Sequence, residues 1–179
     1  MIDSKKHMLI TYPIVLLLIA IDQVTKFLAV DKYFVLINDF ISVHYSENTG
    51  AAWSILSENV VLLAIISVLF LVVLVIFSHK FKEKSTFYSI SYAFIVGGAI
   101  GNLIDRVFFG YVRDFIKTDF ITFPIFNLAD ASLVFGVIMF SIYVLFVYPK
   151  ISKEEDKAEK TENIKQEQNA NEQDKTKKD

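Results

Sequence analysis

The sequence predicts an all-α polytopic membrane protein in which four transmembrane helices carry a small extracytoplasmic β-sheet platform. Three observations lead there. Hydrophobic residues make up 54% of the 179, and they form long runs where a soluble domain would show amphipathic patterns. Four of these runs supply the roughly 20 residues that a helix rising about 1.5 Å per residue needs to cross a ~30 Å hydrocarbon core. The charges are segregated: the last thirty residues hold 8 of the 18 basic and 9 of the 20 acidic side chains, so the net charge of −2 describes no single surface.

The first span runs from about Met8 to Val30, although only Met8 to Ile21 is free of charge. A secretory signal peptide is the competing reading, with Lys5 and Lys6 as its basic end. No small-residue cleavage site follows, however, and the apolar run continues into "IDQVTK". The connection from Asp31 to Glu58 contains "YFVLI" and "FISVHY", β-branched and aromatic runs separated by the turn signal "ND". A small hairpin or sheet on the membrane surface is expected there, its aromatics and Trp53 at headgroup level. Such a sheet can support an extended peptide by strand addition. The second, third and fourth spans cover about Asn59 to Ser78, Ser85 to Ile104 and Ile125 to Tyr148. In the third, Gly97 and Gly101 form a GxxxG pair that allows close helix approach. Residues 1–149 thus form one membrane domain. From Lys150 onward there is almost nothing apolar to bury, and a disordered, solvated tail is expected.

Lysine and arginine in short flanks set orientation. Lys5 and Lys6, the three lysines of "HKFKEK", and Lys150 with Lys153 place both termini in the cytoplasm; Arg106, Arg113 and Lys117 in the third connection dilute the bias. With this topology the polar residues fall at one membrane face. Asp22 and Lys26 are four apart at the outer end of the first span. Asn102, Asp105 and Arg106 end the third, Asp114 follows in a short connection, and Asn127 and Asp130 open the fourth. Charges at such depth cost about 2.5–3.5 kcal/mol on insertion scales, so they face inward with partners or a function. Asp22–Lys26 and Asp105–Arg106 read as neutralising pairs, with Asn102 also near Asp105. Asp114 and Asp130 have no basic residue at helical spacing except Arg113, whose side chain need not share a face with Asp114.

The absence of cysteine excludes disulfides, thiol nucleophiles and cysteine-type metal centres. His7 and His79 lie at the cytoplasmic side, and His44 reads as an ordinary strand residue, which leaves serine–histidine catalysis little support. A serine–lysine dyad would join Ser46, Ser54 or Ser132 to Lys26; it stays open, although nothing in the spacing favours it. Asp105, Asp114 and Asp130 are oxygen ligands for a hard cation, but no histidine-rich spacing accompanies them. Two aspartates forced together share a proton, so that one takes a proton from water while the other donates to the scissile carbonyl oxygen. The other function class is a small transporter or proton relay. It requires polar residues at several depths, whereas the second span and the inner half of the fourth offer only scattered serines and a tyrosine.

Together "DQVTK", "NTGAAWS", "GGAIGNLIDR", "VRDF" and "FNLAD" resemble, in order and placement, the blocks of bacterial lipoprotein signal peptidase (signal peptidase II), over about residues 8 to 148. The resemblance implies a four-helix intramembrane aspartyl endopeptidase of the cytoplasmic membrane. Such an enzyme cuts prolipoproteins just before a diacylglyceryl-modified cysteine, at the outer face and without a cofactor or metal. It implies Asp114 and Asp130 as the catalytic pair. Asn48, Gly50, Asn102, Arg106 and Asn127 would position substrate and carboxylates, with Asp22, Lys26 and Asp105 in support. The family's surface sheet and small outer helix would correspond to Asp31–Glu58 and Arg106–Pro124. Membrane lipids and the lipidated substrate are the expected partners, nucleic acid is not, and one chain suffices to build the site. Two departures are visible: Trp53 where phenylalanine is common, and Arg113 where an apolar residue is frequent. A cation at 113 bears on Asp114, because it would lower the acid's pKa.

Overall fold

The computed structural model describes residues 4–50, 59–80, 85–154, 157 and 161. The expectations for Trp53 and Ser54 fall outside the described residues. Contacts divide the chain into two units, Met1–Phe140 and Ser141–Asp179.

In the first unit the order is α1 (Ser4–Ala29), β1 (Tyr33–Ile37), β2 (Ile41–Asn48), α2 (Val60–Lys80), α3 (Thr86–Phe108), β3 (Val112–Thr118) and the greater part of α4 (Leu128–Ile142). Among the described residues four helical stretches are long and apolar enough to cross a membrane: Lys5–Ala29, Val60–Ser78, Thr86–Phe108 and Leu128–Glu154. α1 starts four residues before Met8 and the fourth helical stretch ends six residues past Tyr148. Two further boundaries differ nearer the polar cluster. α3 runs four residues beyond Ile104, so Asp105 and Arg106 are helical; Phe109 caps it by donating its N–H to the Asp105 carbonyl. Gly110, at φ +76°, then turns the chain toward β3 in a conformation that costs glycine little. α4 begins at Leu128 and not Ile125, because Phe126 is taken up in a backbone bridge to Ile116.

α3 is the helix the others enclose. It packs against α1 and α2, and its glycines set the approach. A Cβ at Gly97 would meet Leu18 at 3.1 Å, and one at Gly101 would meet Asp22 Oδ2 at 2.7 Å, so the GxxxG pair faces α1. One position on, Gly98 faces the Ala129 carbonyl and Leu133 of α4, and Gly136 of α4 receives Ile95 in return. Small residues thus cover two sides of α3. His7 lies against Ser89, and Lys26 against Asn102, so α1 and α3 run parallel. α2 is apolar all round and mostly exposed, as befits a helix whose solvent is lipid.

The expected hairpin is present as β1–β2, with Asp39 at φ +58° in its turn. The connection after α3 supplies a third strand that its sequence does not announce: β3 pairs antiparallel with β2 to give the order β1-β2-β3. Val43, Phe115 and Ala29 form a small core cluster under the sheet.

In the second unit the helix winds as a π-helix over Tyr143–Val147 and returns to α-helical geometry as far as Glu154. Beyond that point, all of the tail except residues 157 and 161 lies outside the described residues.

Candidate active site

The Ile116–Phe126 bridge builds the site. Ile116 donates to the Phe126 carbonyl at 2.8 Å and Phe126 to the Ile116 carbonyl at 3.1 Å. Antiparallel pairing brings the residue after Phe126 beside those before Ile116. Asn127 accordingly reaches Asp114, donating its Nδ2 to Oδ1 at 2.6 Å. Asn127 is also the N-cap of α4: Asp130 N–H donates to its Oδ1 at 2.9 Å, and its own N–H donates to Asp130 Oδ2 at 3.2 Å. This is a reciprocal capping box with aspartate at the third helical position. One asparagine therefore holds both aspartates.

Each carboxylate has a second amide. Asn48 Nδ2 donates to Asp114 Oδ2 at 2.9 Å, and the Gly50 N–H steadies Asn48 by donating to its Oδ1. Asn102 Nδ2 donates to Asp130 Oδ1 at 2.7 Å. The Asn102 Oδ1 accepts from Lys26 Nζ at 3.0 Å and from Asn127 at 3.1 Å.

Beneath this layer lies a charge-balanced base. Lys26, fully buried, pairs with Asp22 at 2.8 Å and Asp105 at 3.4 Å. Arg113 Nη2 pairs with Asp105 Oδ1 at 2.8 Å. Asp22 also satisfies a free donor of α4, accepting from Ala129 N–H at 2.9 Å. Two buried cations thus face two buried carboxylates. Asp105 and Arg106 are not a pair, contrary to expectation. Consecutive helical residues point in different directions, so Asp105 turns to Arg113 while Arg106, half-buried, lines the cavity. The cation before Asp114 likewise points away from it, since alternate strand residues take opposite faces.

Asp114 and Asp130 differ from the lower carboxylates: among the described residues neither has a cation within salt-bridge distance. Both open onto a cavity of about 1080 Å³. Its lining is polar at Ser46, Asn48, Arg106 and the two aspartates and apolar at Phe123, Leu133, Val134, Phe135 and Ile138. Burial, and then the Asp130 charge, push Asp114 up to about 7 against the hydrogen bonds from Asn48 and Asn127. No cluster of three histidine, cysteine or acidic side chains able to hold a metal occurs among the described residues. Among the described residues Lys26 meets Asp22, Asp105 and Asn102 and no serine hydroxyl. His44 packs edge-on against Tyr33, its cross-strand partner.

Asp22, Lys26, Asn48, Gly50, Asn102, Asp105, Asp114, Asn127 and Asp130 therefore join one hydrogen-bonded network, with Arg106 at its cavity wall. Sequence reasoning missed Gln23, which donates to Asp105 Oδ1 at 3.1 Å and accepts from Arg113 at 2.8 Å. Its signal was present: Gln23 lies three residues before Lys26, on the same helical face.

The family model of signal peptidase (SPase) II matches residues 14–146. The lipoprotein signal peptidase of Enterococcus faecalis is 43% identical over 134 residues, 72% of this chain and 83% of its own length. That of Listeria monocytogenes is 41% identical over 140 residues, 74% of this chain and 91% of its own. A bacterial membrane enzyme solved by the in meso method at 2.3 Å superposes with a TM-score of 0.71 at 37% identity, covering 75% of this chain and 87% of the other. A match over three quarters of the chain, through every element that supplies the network, fixes the relationship: the chain belongs to the signal peptidase II family.

Proposed function

We propose that Asp114 and Asp130 are the carboxylate pair with which this multi-pass membrane peptidase removes signal peptides from prolipoproteins. The observation that supports this reading best is the contrast between the two sets of buried acids. Asp22 and Asp105 are neutralised by Lys26 and Arg113, whereas Asp114 and Asp130 face a cavity and are held by amides. With Arg106 as the cation of the cavity wall, the upper set is neutral when the pair holds one proton. With Asp114 raised to about 7, a substantial share of the pairs retains that proton at neutral pH.

A water between the two carboxyls loses a proton to the ionised member as its oxygen bonds to the scissile carbonyl carbon. The protonated member gives its proton to the carbonyl oxygen. As the diol collapses, the protonated member gives its proton to the leaving nitrogen and the ionised member takes one from a diol hydroxyl, so the C–N bond breaks and the pair again holds one proton. Asn48, Asn102 and Asn127 hold the carboxyls in register, and Arg106 orients the peptide. The acyl chains of a diacylglyceryl cysteine lie along Ala131, Val134, Phe135 and Ile138, spaced i, i+3, i+4, i+7 below Asp130. The site opens at the extracytoplasmic face, both termini are cytoplasmic, the stretch from Lys150 is a solvated tail, and the working unit is a monomer.

The test is cleavage by purified enzyme of a diacylglyceryl-modified prolipoprotein and its unmodified form. Asp114→Asn and Asp130→Asn should each lose about 10²–10⁴-fold in kcat, and chelator should change nothing. Activity retained by either variant removes that residue from the pair.

A further inference from the structure

Arg113 lies outside the amide layer that touches the aspartates, yet the polypeptide ties it directly to Asp114. We propose that Arg113 is a positioning residue for peptide cleavage: by fixing β3 to Asp105 it sets the separation of Asp114 from Asp130. This rests on the reading of those two aspartates as the catalytic pair.

Arg113 meets Asp105 at three points. Its backbone N–H donates to Oδ2 at 2.9 Å, Nε donates to the same oxygen at 3.2 Å, and Nη2 donates to Oδ1 at 2.8 Å. A planar fork on a carboxylate fixes direction as well as distance. The remaining surroundings complete the cage: Nη2 also donates to Gln23 Oε1 at 2.8 Å, and the guanidinium lies 4.2 Å over the Phe109 ring. The residues joined are eight apart and separated by the Gly110 turn, so the clamp closes the short loop that delivers β3. Because β3 alternates its faces, pulling Arg113 down onto Asp105 aims Asp114 the other way, into the cavity.

Asp105 also leads to the second aspartate. It pairs with Lys26, Lys26 donates to Asn102 Oδ1, and Asn102 donates to Asp130 at 2.7 Å. One buried carboxylate is thus the common anchor of both catalytic groups, reaching Asp114 through Arg113 and Asp130 through Lys26. The amide of Asn127 spans the pair directly; the Asp105 route sets the height of the strand from which Asp114 reaches it. The influence is geometric, since the charge of Arg113 does not figure among the causes that move Asp114.

The experiment compares wild type, Arg113→Gln, Arg113→Lys and Asp114→Asn in steady-state cleavage across pH, with each rate normalised to the folded fraction. Both Arg113 variants should lose about tenfold or more in kcat, with KM little changed, because small misplacements of reacting groups cost rate steeply. A looser pair weakens the repulsion between the aspartates, so the alkaline limb should move to lower pH. Loss of a nearby positive charge would move it to higher pH instead, and Arg113→Lys, which keeps the charge without the fork, would then behave as wild type. Normal kcat in Arg113→Lys, or an alkaline limb that stays in place or rises, overturns the proposal. An active Asp114→Asn enzyme would instead sink the assignment of the pair itself. If Arg113→Gln does not fold, Arg113→Lys alone decides.

Discussion

At the scale of the residue, Asn48 isolates the electrostatics of Asp114, because it touches that carboxylate without capping α4. Its amide favours the charged form, while burial and the Asp130 charge oppose it and raise Asp114 to about 7. On the proposed mechanism the singly protonated pair is the active form, so activity should fall as pH rises through about 7. Removing the Asn48 bond raises Asp114 further, and the alkaline limb of kcat/KM in Asn48→Ala should therefore move to higher pH. An unmoved limb would mean that another group controls it. Stability responds in the same window. The folded value lies above the unfolded one of about 3.9, so the contribution of Asp114 is fully present below about 4 and is lost as pH rises through about 7. The thermal midpoint of Asp114→Asn should consequently vary less between pH 5 and 8 than that of wild type. The two aspartates were legible in the sequence as acids without helical partners, and Asn127 was legible by its spacing. The partnership of Asp105 was not, since adjacency in sequence suggested Arg106 while the choice of Arg113 depends on how β3 returns over the end of α3.

At the scale of the element, glycine placement decides how closely α3 meets its neighbours. A Cβ at Gly98 would run into the backbone carbonyl of Ala129, which cannot move without lifting the first turn of α4; at Gly97 its tight contacts are with the side chain of Leu18 at 3.1 Å, and the Val15 carbonyl lies at an ordinary 3.6 Å. Gly98→Ala should thus cost about 1–3 kcal/mol by overpacking and Gly97→Ala less, as read from unfolding in detergent. Equal costs would mean that α4 yields as easily as a leucine side chain. The spacing of Gly97 and Gly101 announced a close contact but not its partner, and Gly98 carried no motif at all. The sheet shows a similar limit. β2 contains one extra residue between Val43, opposite Ile116, and Ser46, opposite Asp114. Simple alternation from Val43 would send Asn48 to the wrong face; the bulge restores it to the Asp114 side, where its hydrogen bond forms. Strand-like composition identified the hairpin, whereas the bulge and the third strand depend on pairing across some seventy residues.

At the scale of the whole molecule, the parallel run of α1 and α3 gathers the C-terminal ends of both helices around Lys26. The network therefore belongs to a single end of these helices, as the clustering of polar residues in the sequence required. Which membrane face that end meets follows from the distribution of lysine and arginine, and the third connection weakens it by carrying Arg106, Arg113 and Lys117. The natural chain has no cysteine, so single cysteines report topology without background. Thr122, exposed in the connection between β3 and α4, should as Thr122→Cys react with an impermeant maleimide on intact cells. Lys153, exposed in the last turn of the fourth helical stretch, should as Lys153→Cys react only after the membrane is opened. The reverse pattern would put Asp114 and Asp130 on the cytoplasmic face, out of reach of a lipid-anchored cysteine in the outer leaflet, and the cleavage chemistry would then have to be reassigned to a substrate presented from inside.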